Sequence, residues 1–381
     1  MVDSDLKKVI ILGAGLVGAL NCLMFKRNNY EVYTFHKEKE SGLDRTYALT
    51  PNVVEWLKTF NLSKNFLNSL NPVKSIDIYK EPHGNQIIFD SNKLYLPALA
   101  YIVKEKNLLN EIKPKLSVQT IHSQKLEGGE KISNTEQSVN FSFPKGEITA
   151  PLLLACDGAR SPIREQELIK KKVKDFDQTA IVFDFEVSGA QPNKATQFFC
   201  GDSILAILPV GPKNMSAVWS CDNKLFENKF KLDEKSFKKE LVKVLGKDFG
   251  KISSISTRNS FPLHMIKVQR LFKKRVLLMG DAAHSIHPLS GQGLNLGIRG
   301  IMELEKNIQK KDYTDIGLSG FLRRYERSRK IDIEEFSILT SGLQWAFSLK
   351  GLGPNYIISK GMSLINEVDF IKNKLIERAI L

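Results

Sequence analysis

Gly280-Asp281-Ala282-Ala283-His284-Ser285-Ile286-His287-Pro288-Leu289-Ser290-Gly291-Gln292-Gly293-Leu294-Asn295-Leu296-Gly297 follows directly on the apolar run Val276-Leu277-Leu278-Met279. The run reads as a buried strand with Asp281 at its tip. Pro288 stiffens the loop beyond, and Gly291 and Gly293 open a helix. Such an arrangement suits a large, electron-poor ring held against bare backbone. Glycine lets N–H groups approach closely, and a helix N-terminus favours the negative charge such a ring gathers when reduced. Asp281 can accept hydrogen bonds from hydroxyl groups.

Two other strand ends carry related signals. Lys8-Val9-Ile10-Ile11-Leu12 reads as a short buried strand, followed by Gly13-Ala14-Gly15-Leu16-Val17-Gly18, a helix to about Asn28 and a second strand from Glu31 to Phe35. This is the opening βαβ unit of a dinucleotide-binding domain, with Gly13, Gly15 and Gly18 permitting a tight turn and a pyrophosphate at the helix N-terminus. Close helix–strand packing alone would also ask for these glycines, and the loop does not choose between FAD and a nicotinamide. Where the second strand usually ends in an acid for the adenosine ribose stands His36. A neutral imidazole offers one acceptor nitrogen there, and Glu38 is the alternative. Further on, Cys156-Asp157-Gly158-Ala159-Arg160-Ser161-Pro162-Ile163-Arg164 follows the apolar Leu152 to Ala155, giving a third strand end with a turn and basic residues.

The bulk numbers bound the rest. A chain of 381 residues with 42% hydrophobic content can bury a full core and build two closely packed domains. The net charge of +14 invites an anionic partner, but the basic residues are scattered, with short clusters such as Lys170-Lys171-Lys172 and Arg323-Arg324. No basic stripe interleaved with aromatics appears, so nucleic acid is not expected; attraction to an acidic membrane surface or a lysine-rich proteome remain. Cys22, Cys156, Cys200 and Cys221 show neither Cys-x-x-Cys nor metal-ligand spacing, and read as reduced thiols of a cytoplasmic protein with no metal. No apolar run approaches the ~18 residues of a spanning helix, and the polar Met1–Lys8 is not expected to act as a signal peptide.

Leu94 to Leu109 is expected to be a helix, from the spacing of Leu99, Ile102, Val103 and Leu109. Ser75 to Tyr79 and Gln86 to Phe89 alternate like a hairpin around Pro82-His83-Gly84. Ala180 to Val187, Gln197 to Phe199, Ile204 to Val210 and Ser216 to Trp219 read as strands. The expected fold is α/β: a Rossmann-like nucleotide-binding domain with an interleaved antiparallel sheet and C-terminal helices. Residues 1–72, 97–176 and 268–330 form the first unit, residues 73–96 and 177–267 the inserted substrate domain, and residues 331–381 a helical region. Leu364, Val368, Ile371, Leu375 and Ala379 share one helical face near the C-terminus, suited to core packing or to a membrane interface, and Trp345 and Phe347 carry the same ambiguity.

Taken in order, the three strand-end motifs resemble those of the class A FAD-dependent aromatic monooxygenases, the para-hydroxybenzoate hydroxylase-like group. Leu43-Asp44-Arg45-Thr46-Tyr47-Ala48-Leu49, Ala100-Tyr101-Ile102-Val103, Gln178 to Val182 with Leu205 to Pro209, and Tyr325-Glu326 with Arg329 resemble its branch of ubiquinone-biosynthesis polyprenylphenol hydroxylases. The resemblance implies that FAD is held by Gly13, Gly15, Gly18, His36, Arg45, Lys106, Asp157, Asp281, Pro288, Gly291, Gly293 and Asn295. It also implies that NADH or NADPH reduces the flavin transiently, and that O2 adds at flavin C4a. The hydroperoxide then gives one oxygen to a polyprenylated phenol, with membrane contact and a biosynthetic complex as partners. It names no catalytic acid or base; His284 and His287 are more readily packing or capping residues. The chain departs from the family pattern where Arg45 follows Asp44 without a spacer, where Lys106 replaces an arginine, and where Gly300 replaces an aspartate after Arg299. A hydroxylase of a small soluble aromatic acid, a flavin-dependent isoprenoid reductase and a catalytically idle scaffold are the alternatives.

Overall fold

Val9, Ile10, Ile11 and Leu12 are all buried, and a strand covered on both faces belongs in the middle of a parallel sheet. In the computed structural model Lys8–Leu12 lies in a six-stranded sheet ordered Phe272–Lys273, Val276–Leu278, Leu153–Ala155, Lys8–Leu12, Glu31–His36, Ile121–Lys125. The last five strands pair in parallel and Phe272–Lys273 closes one edge antiparallel. Register matters most for function. Leu12 lies opposite both Ala155 and Phe35, and Ala155 lies opposite Leu278, so four strands end level. The structure describes residues 5–37, 44–80, 86–117, 121–126, 130–189, 191–246, 249–286 and 291–348. Glu38, Leu43, the Pro82-His83-Gly84 turn, His287, Pro288, the side chains of Trp345 and Phe347, and the stripe from Leu364 to Ala379 lie outside the described residues.

Helices Leu16–Arg27 and Gly293–Gln309 pack on this sheet and on each other. Between them the buried Glu305 accepts hydrogen bonds from the Arg27 guanidinium, from Asn28 Nδ2 at 2.8 Å and from Trp56 Nε1 at 2.9 Å. Burial alone would push its carboxyl up, but these donors outweigh it and hold the pKa below the usual carboxylate range.

A nine-stranded sheet holds Ser75–Lys80, Gln86–Asp90, Lys171–Ser188, Lys194–Cys200, Ser203–Pro209, Asn214–Asp222, Lys251–Ile255, Asn259–Val268 and His284–Ser285. It is antiparallel except where Lys194–Cys200 runs parallel to Ser75–Lys80. One face carries Phe183, Phe185, Leu205 and Trp219 under helices Asn223–Phe230 and Glu234–Leu245. The other faces the nucleotide-binding unit. The Lys171–Ser188 strand begins before residue 177, and helix Ser319–Ser348 runs unbroken through residue 330.

The helix expected over Leu94 to Leu109 is instead a 3-10 turn at Asn92–Leu94, a strand Ala100–Lys104 and a helix Glu105–Ile112. Tyr101, Ile102 and Val103 suit a strand, and Thr46–Leu49 and Asn71–Val73 occupy both of its edges, so tertiary pairing overrides the helical spacing. All four cysteines are free, and burial pushes the Cys22 and Cys221 thiols up to about 12.

Arg275 locks the edge of the parallel sheet. Its Nη1 and Nη2 each reach an Asp315 oxygen at 2.9 Å, Nη1 also reaches Pro151 O at 2.9 Å, and Nε reaches Glu136 O at 2.8 Å. Both side chains are nearly or fully buried. Arg275→Met leaves that carboxylate without its partner and is expected to cost about 3–5 kcal/mol, read as a lower urea midpoint. An unchanged midpoint would contradict this.

Candidate active site

The four level strand ends deliver the sequence motifs to one edge. Gly13 follows Leu12 with a φ of +112°, and a Cβ there would sit 2.3 Å from Cys156 O; a Cβ on Gly18 would sit 1.8 Å from Gly13 O. These two glycines are therefore required by helix–strand packing. Gly15 and Gly293 are different. Neither has a left-handed φ, and a Cβ on either would meet nothing within 4 Å among the described residues. Both stand at a helix start. The first intrahelical bonds are Ala19 N–H to Gly15 O and Leu296 N–H to Gln292 O, each 2.9 Å, so the N–H groups of Leu16, Val17 and Gly18, and of Gly293, Leu294 and Asn295, precede the ladders. Two helix N-termini thus open onto free space. Gly291, at a φ of +61°, approaches Ala48, with its Cβ position 3.7 Å from that methyl group.

Asp281 lies in the turn after Val276–Leu278 and reaches solvent at the mouth of this space, although protein crowds it. That crowding raises its pKa above the ordinary value, with Arg45 opposing and Glu105 adding to the effect. Arg45 is likewise open to solvent. Burial works against its charge, but Tyr47, which it hydrogen-bonds, together with Glu105 and Asp281 holds its pKa above the usual value. Burial pushes the Tyr47 phenol up to about 12, against the pull of Arg45. Asp44 Oδ1 accepts from Lys106 N–H at 3.0 Å and Arg45 O accepts from Glu105 N–H at 2.7 Å, docking the segment on the start of helix Glu105–Ile112. The missing spacer between Asp44 and Arg45 is accommodated in this way. Lys106 is exposed on the same turn. Tyr47 and Glu105 are members of this cluster that sequence reasoning missed; the carboxylate only two residues beyond the Tyr101-to-Val103 run was the available signal.

Asp157 follows Leu153–Ala155. Its Oδ2 accepts from Ile163 N–H at 3.2 Å, while Oδ1 is buried without a partner. Burial raises its pKa, opposed by Ser161, Ile163 and Arg164. His36 ends Glu31–His36, and its Nδ1 is also buried and, among the described residues, without a partner. Arg164 is fully buried and donates to Ala282 O at 2.9 Å and Ala159 O at 2.8 Å, so it ties two strand-end turns together rather than facing a ligand. The Asn295 side chain is committed too. Its Oδ1 accepts from Thr50 N–H at 3.0 Å, and its Nδ2 donates to Ala48 O at 2.7 Å and Gln292 Oε1 at 2.9 Å. What it can still offer a ligand is its backbone N–H. At Gly300 a Cβ would come within 3.1 Å of the Tyr325 hydroxyl, so this departure makes room for Tyr325, while Arg299 pairs with Asp332 instead.

The family model described as FAD binding domain matches residues 7–335. The chain belongs to that family. It is 25% identical to the mitochondrial ubiquinone biosynthesis monooxygenase COQ6 of Danio rerio, with 86% of this chain and 80% of that protein covered. It is 30% identical to the ubiquinone hydroxylase UbiL of Rhodospirillum rubrum over 53% of this chain and 47% of that protein. The fold is shared with HpxO of Klebsiella pneumoniae, solved with FAD and uric acid, at a TM-score of 0.75 and 16% identity over 98% of this chain and 96% of that one. The chain is an FAD-dependent monooxygenase.

The residues present fit FAD: two glycine-open helix N-termini, two buried polar atoms without partners among the described residues, and an aspartate at the mouth of the space between them. Gly15→Val is expected to fold, since none of the described residues occupies its Cβ position, yet to purify colourless. Gly18→Ala should fail to fold, because its Cβ overlaps backbone. A yellow Gly15→Val protein would contradict the assignment.

His284 is buried, and burial, with the Arg329 charge adding to it, pulls its pKa from 6.5 to about 3. The folded chain keeps this imidazole neutral over that range, whereas the unfolded chain takes up its proton near 6.5. Stability from this group is intact above pH 6.5 and is lost as the pH falls toward 3, at up to about 1.4 kcal/mol per pH unit. His284→Gln should therefore lose less stability than wild type between pH 7 and pH 5 in urea unfolding; equal losses would contradict the buried neutral ring.

Proposed function

We propose that this monooxygenase hydroxylates the ring of a polyprenylated phenol in ubiquinone synthesis, using NADH or NADPH and O2. The observation that carries the reading is the face the nine-stranded sheet turns toward the nucleotide-binding unit. Val182, Val218, Ala206, Gln197 and Ile78 lie side by side across five strands, by register. Four of the five are apolar, and two of those, Ala206 and Val218, are small and half-buried. Lys104, which reaches this face at Asp184, already has both carboxylate oxygens at 2.8 and 2.6 Å. A soluble aromatic acid needs a cation for its carboxylate, whereas a prenylated ring needs apolar area. The relatives named as ubiquinone hydroxylases support the same reading.

On this reading residues 1–72, 97–176 and 268–330 hold FAD, residues 73–96 and 177–267 hold the ring, and residues 331–381 complete the helical side. Bound FAD supplies electron transfer from the nicotinamide and activation of O2. The chain's own residues supply position and field. The N–H groups of Leu16, Val17 and Gly18 receive the pyrophosphate, and Asp157 and His36 offer acceptors to hydroxyl groups. Asp281, with Arg45 beside it, fixes the ribityl chain. The N–H groups of Gly293, Leu294 and Asn295 stabilise negative charge where the ring carries it. Thr46 Oγ1 donates to Ser216 Oγ at 2.8 Å, tying the substrate sheet to the strand beside Gly291. Arg45, Lys106, Pro288, Gly291 and Gly293 complete the proposed flavin contacts, and the substrate's own hydroxyl activates its ring. His284 is assigned no proton transfer.

The test is restoration of quinone synthesis in cells that lack single ring hydroxylases, with lipid extracts analysed for the stalled intermediate. Rescue of one such strain is expected; failure in all of them, with turnover of a tail-less hydroxybenzoate by the purified protein, would overturn the substrate. Ala206→Phe, which fills the proposed ring site, should keep its flavin and lower kcat/KM for the prenylated phenol by about tenfold or more.

A further inference from the structure

Among the described residues, the exposed large apolar side chains include Ile331 at 61% and Ile338 at 70% exposure, both on helix Ser319–Ser348. They are a heptad apart and so share one stripe, which the exposed Arg323 and Arg327 continue toward the N-terminus. The opposite face of the helix is committed to the flavin unit: Arg329 donates to Leu296 O at 2.9 Å, and Tyr325, Ile333 and Phe336 are buried.

Cations border the stripe from a second element. Glu334, on the outer face, is paired with Lys267 of strand Asn259–Val268. Lys172 lies directly opposite Lys267 on the neighbouring strand, so its side chain leaves the same side of the sheet, as does that of Lys174 two residues on; both are exposed. Glu335 is a second acid on the exposed side of this helix, and it lies in the field of Arg299.

We propose that this face docks on an anionic lipid bilayer, with Ile331 and Ile338 entering between head groups and the arginines and lysines lying against lipid phosphates. Charge complementarity selects that occupant. A second copy of the chain would bring another +14 and set cation against cation, whereas an acidic lipid surface attracts both the patch and the whole molecule. Among the described residues no helix is long and apolar enough to cross a membrane, so the contact is with the surface. The proposed prenylated substrate gives the contact a purpose, and only in that respect does the inference rest on the function proposed above.

The test is flotation of the full-length, FAD-loaded protein with vesicles of phosphatidylglycerol and phosphatidylethanolamine, against vesicles of phosphatidylcholine. Wild type should float with the anionic vesicles alone and be released by salt. Ile331→Asp with Ile338→Asp, and separately Lys172→Glu with Lys174→Glu, should each lower the bound fraction about tenfold while keeping flavin and full turnover of a detergent-dispersed prenylated phenol. Flotation of both variants like wild type, equal flotation with neutral lipid, or an isoleucine variant that changes only the oligomeric state would each overturn the proposal. A protein that floats as expected yet hydroxylates no phenol removes the proposed substrate and leaves the docking face standing.

Discussion

Parallel pairing in one register is the constraint from which the site follows. Leu12, Phe35, Ala155 and Leu278 end level because each strand is hydrogen-bonded to its neighbour with no offset between them. Residues far apart in sequence then begin their turns at one edge of one sheet: Gly13, His36, Asp157 and Asp281. A one-residue slip in any of these strands would exchange its side chains between two differently packed faces and shift its turn by one residue, so the same packing that stabilises the sheet also fixes the spacing of the site.

The glycines divide into two economies. Gly13 and Gly18 are small because the chain itself fills the space beside them, and their loss is felt in folding. Gly15 and Gly293 are small although the described residues leave that space empty, and their loss is expected to be felt in binding. Charge follows a similar division. Arg164, Arg275 and Arg329 are buried and spent on backbone oxygens and carboxylates that hold turns in place. Arg45 and Asp281 instead face open space, each within the field of the other.

The sequence disclosed the site better than the sheets. Motifs that follow buried strands are local, so Lys8–Leu12, its helix and the turn at Asp281 could be read from adjacent residues. The hairpin Ser75–Lys80 with Gln86–Asp90 was legible for the same reason. The parallel junction between Lys194–Cys200 and Ser75–Lys80 was not, because it joins segments more than a hundred residues apart and leaves no local trace. Ala100–Lys104 misled as a helix because its partners lie elsewhere in the chain, and only their two edges make it a strand. Asn295 was legible as a motif member but not as the clamp joining Gly293–Gln309 to Ala48 and Thr50, since its partners lie about 245 residues upstream. The charge cluster around Tyr47 and Glu105 stayed hidden for the same reason.

Four strand ends are proposed to hold one FAD along its full length, and a crystal structure of the purified yellow protein decides the matter. The pyrophosphate is expected against the N–H groups of Leu16 to Gly18, a ribityl hydroxyl on Asp281, and the ring beside Gly291 and Gly293. A flavin seated elsewhere, or a different nucleotide in that place, would contradict it.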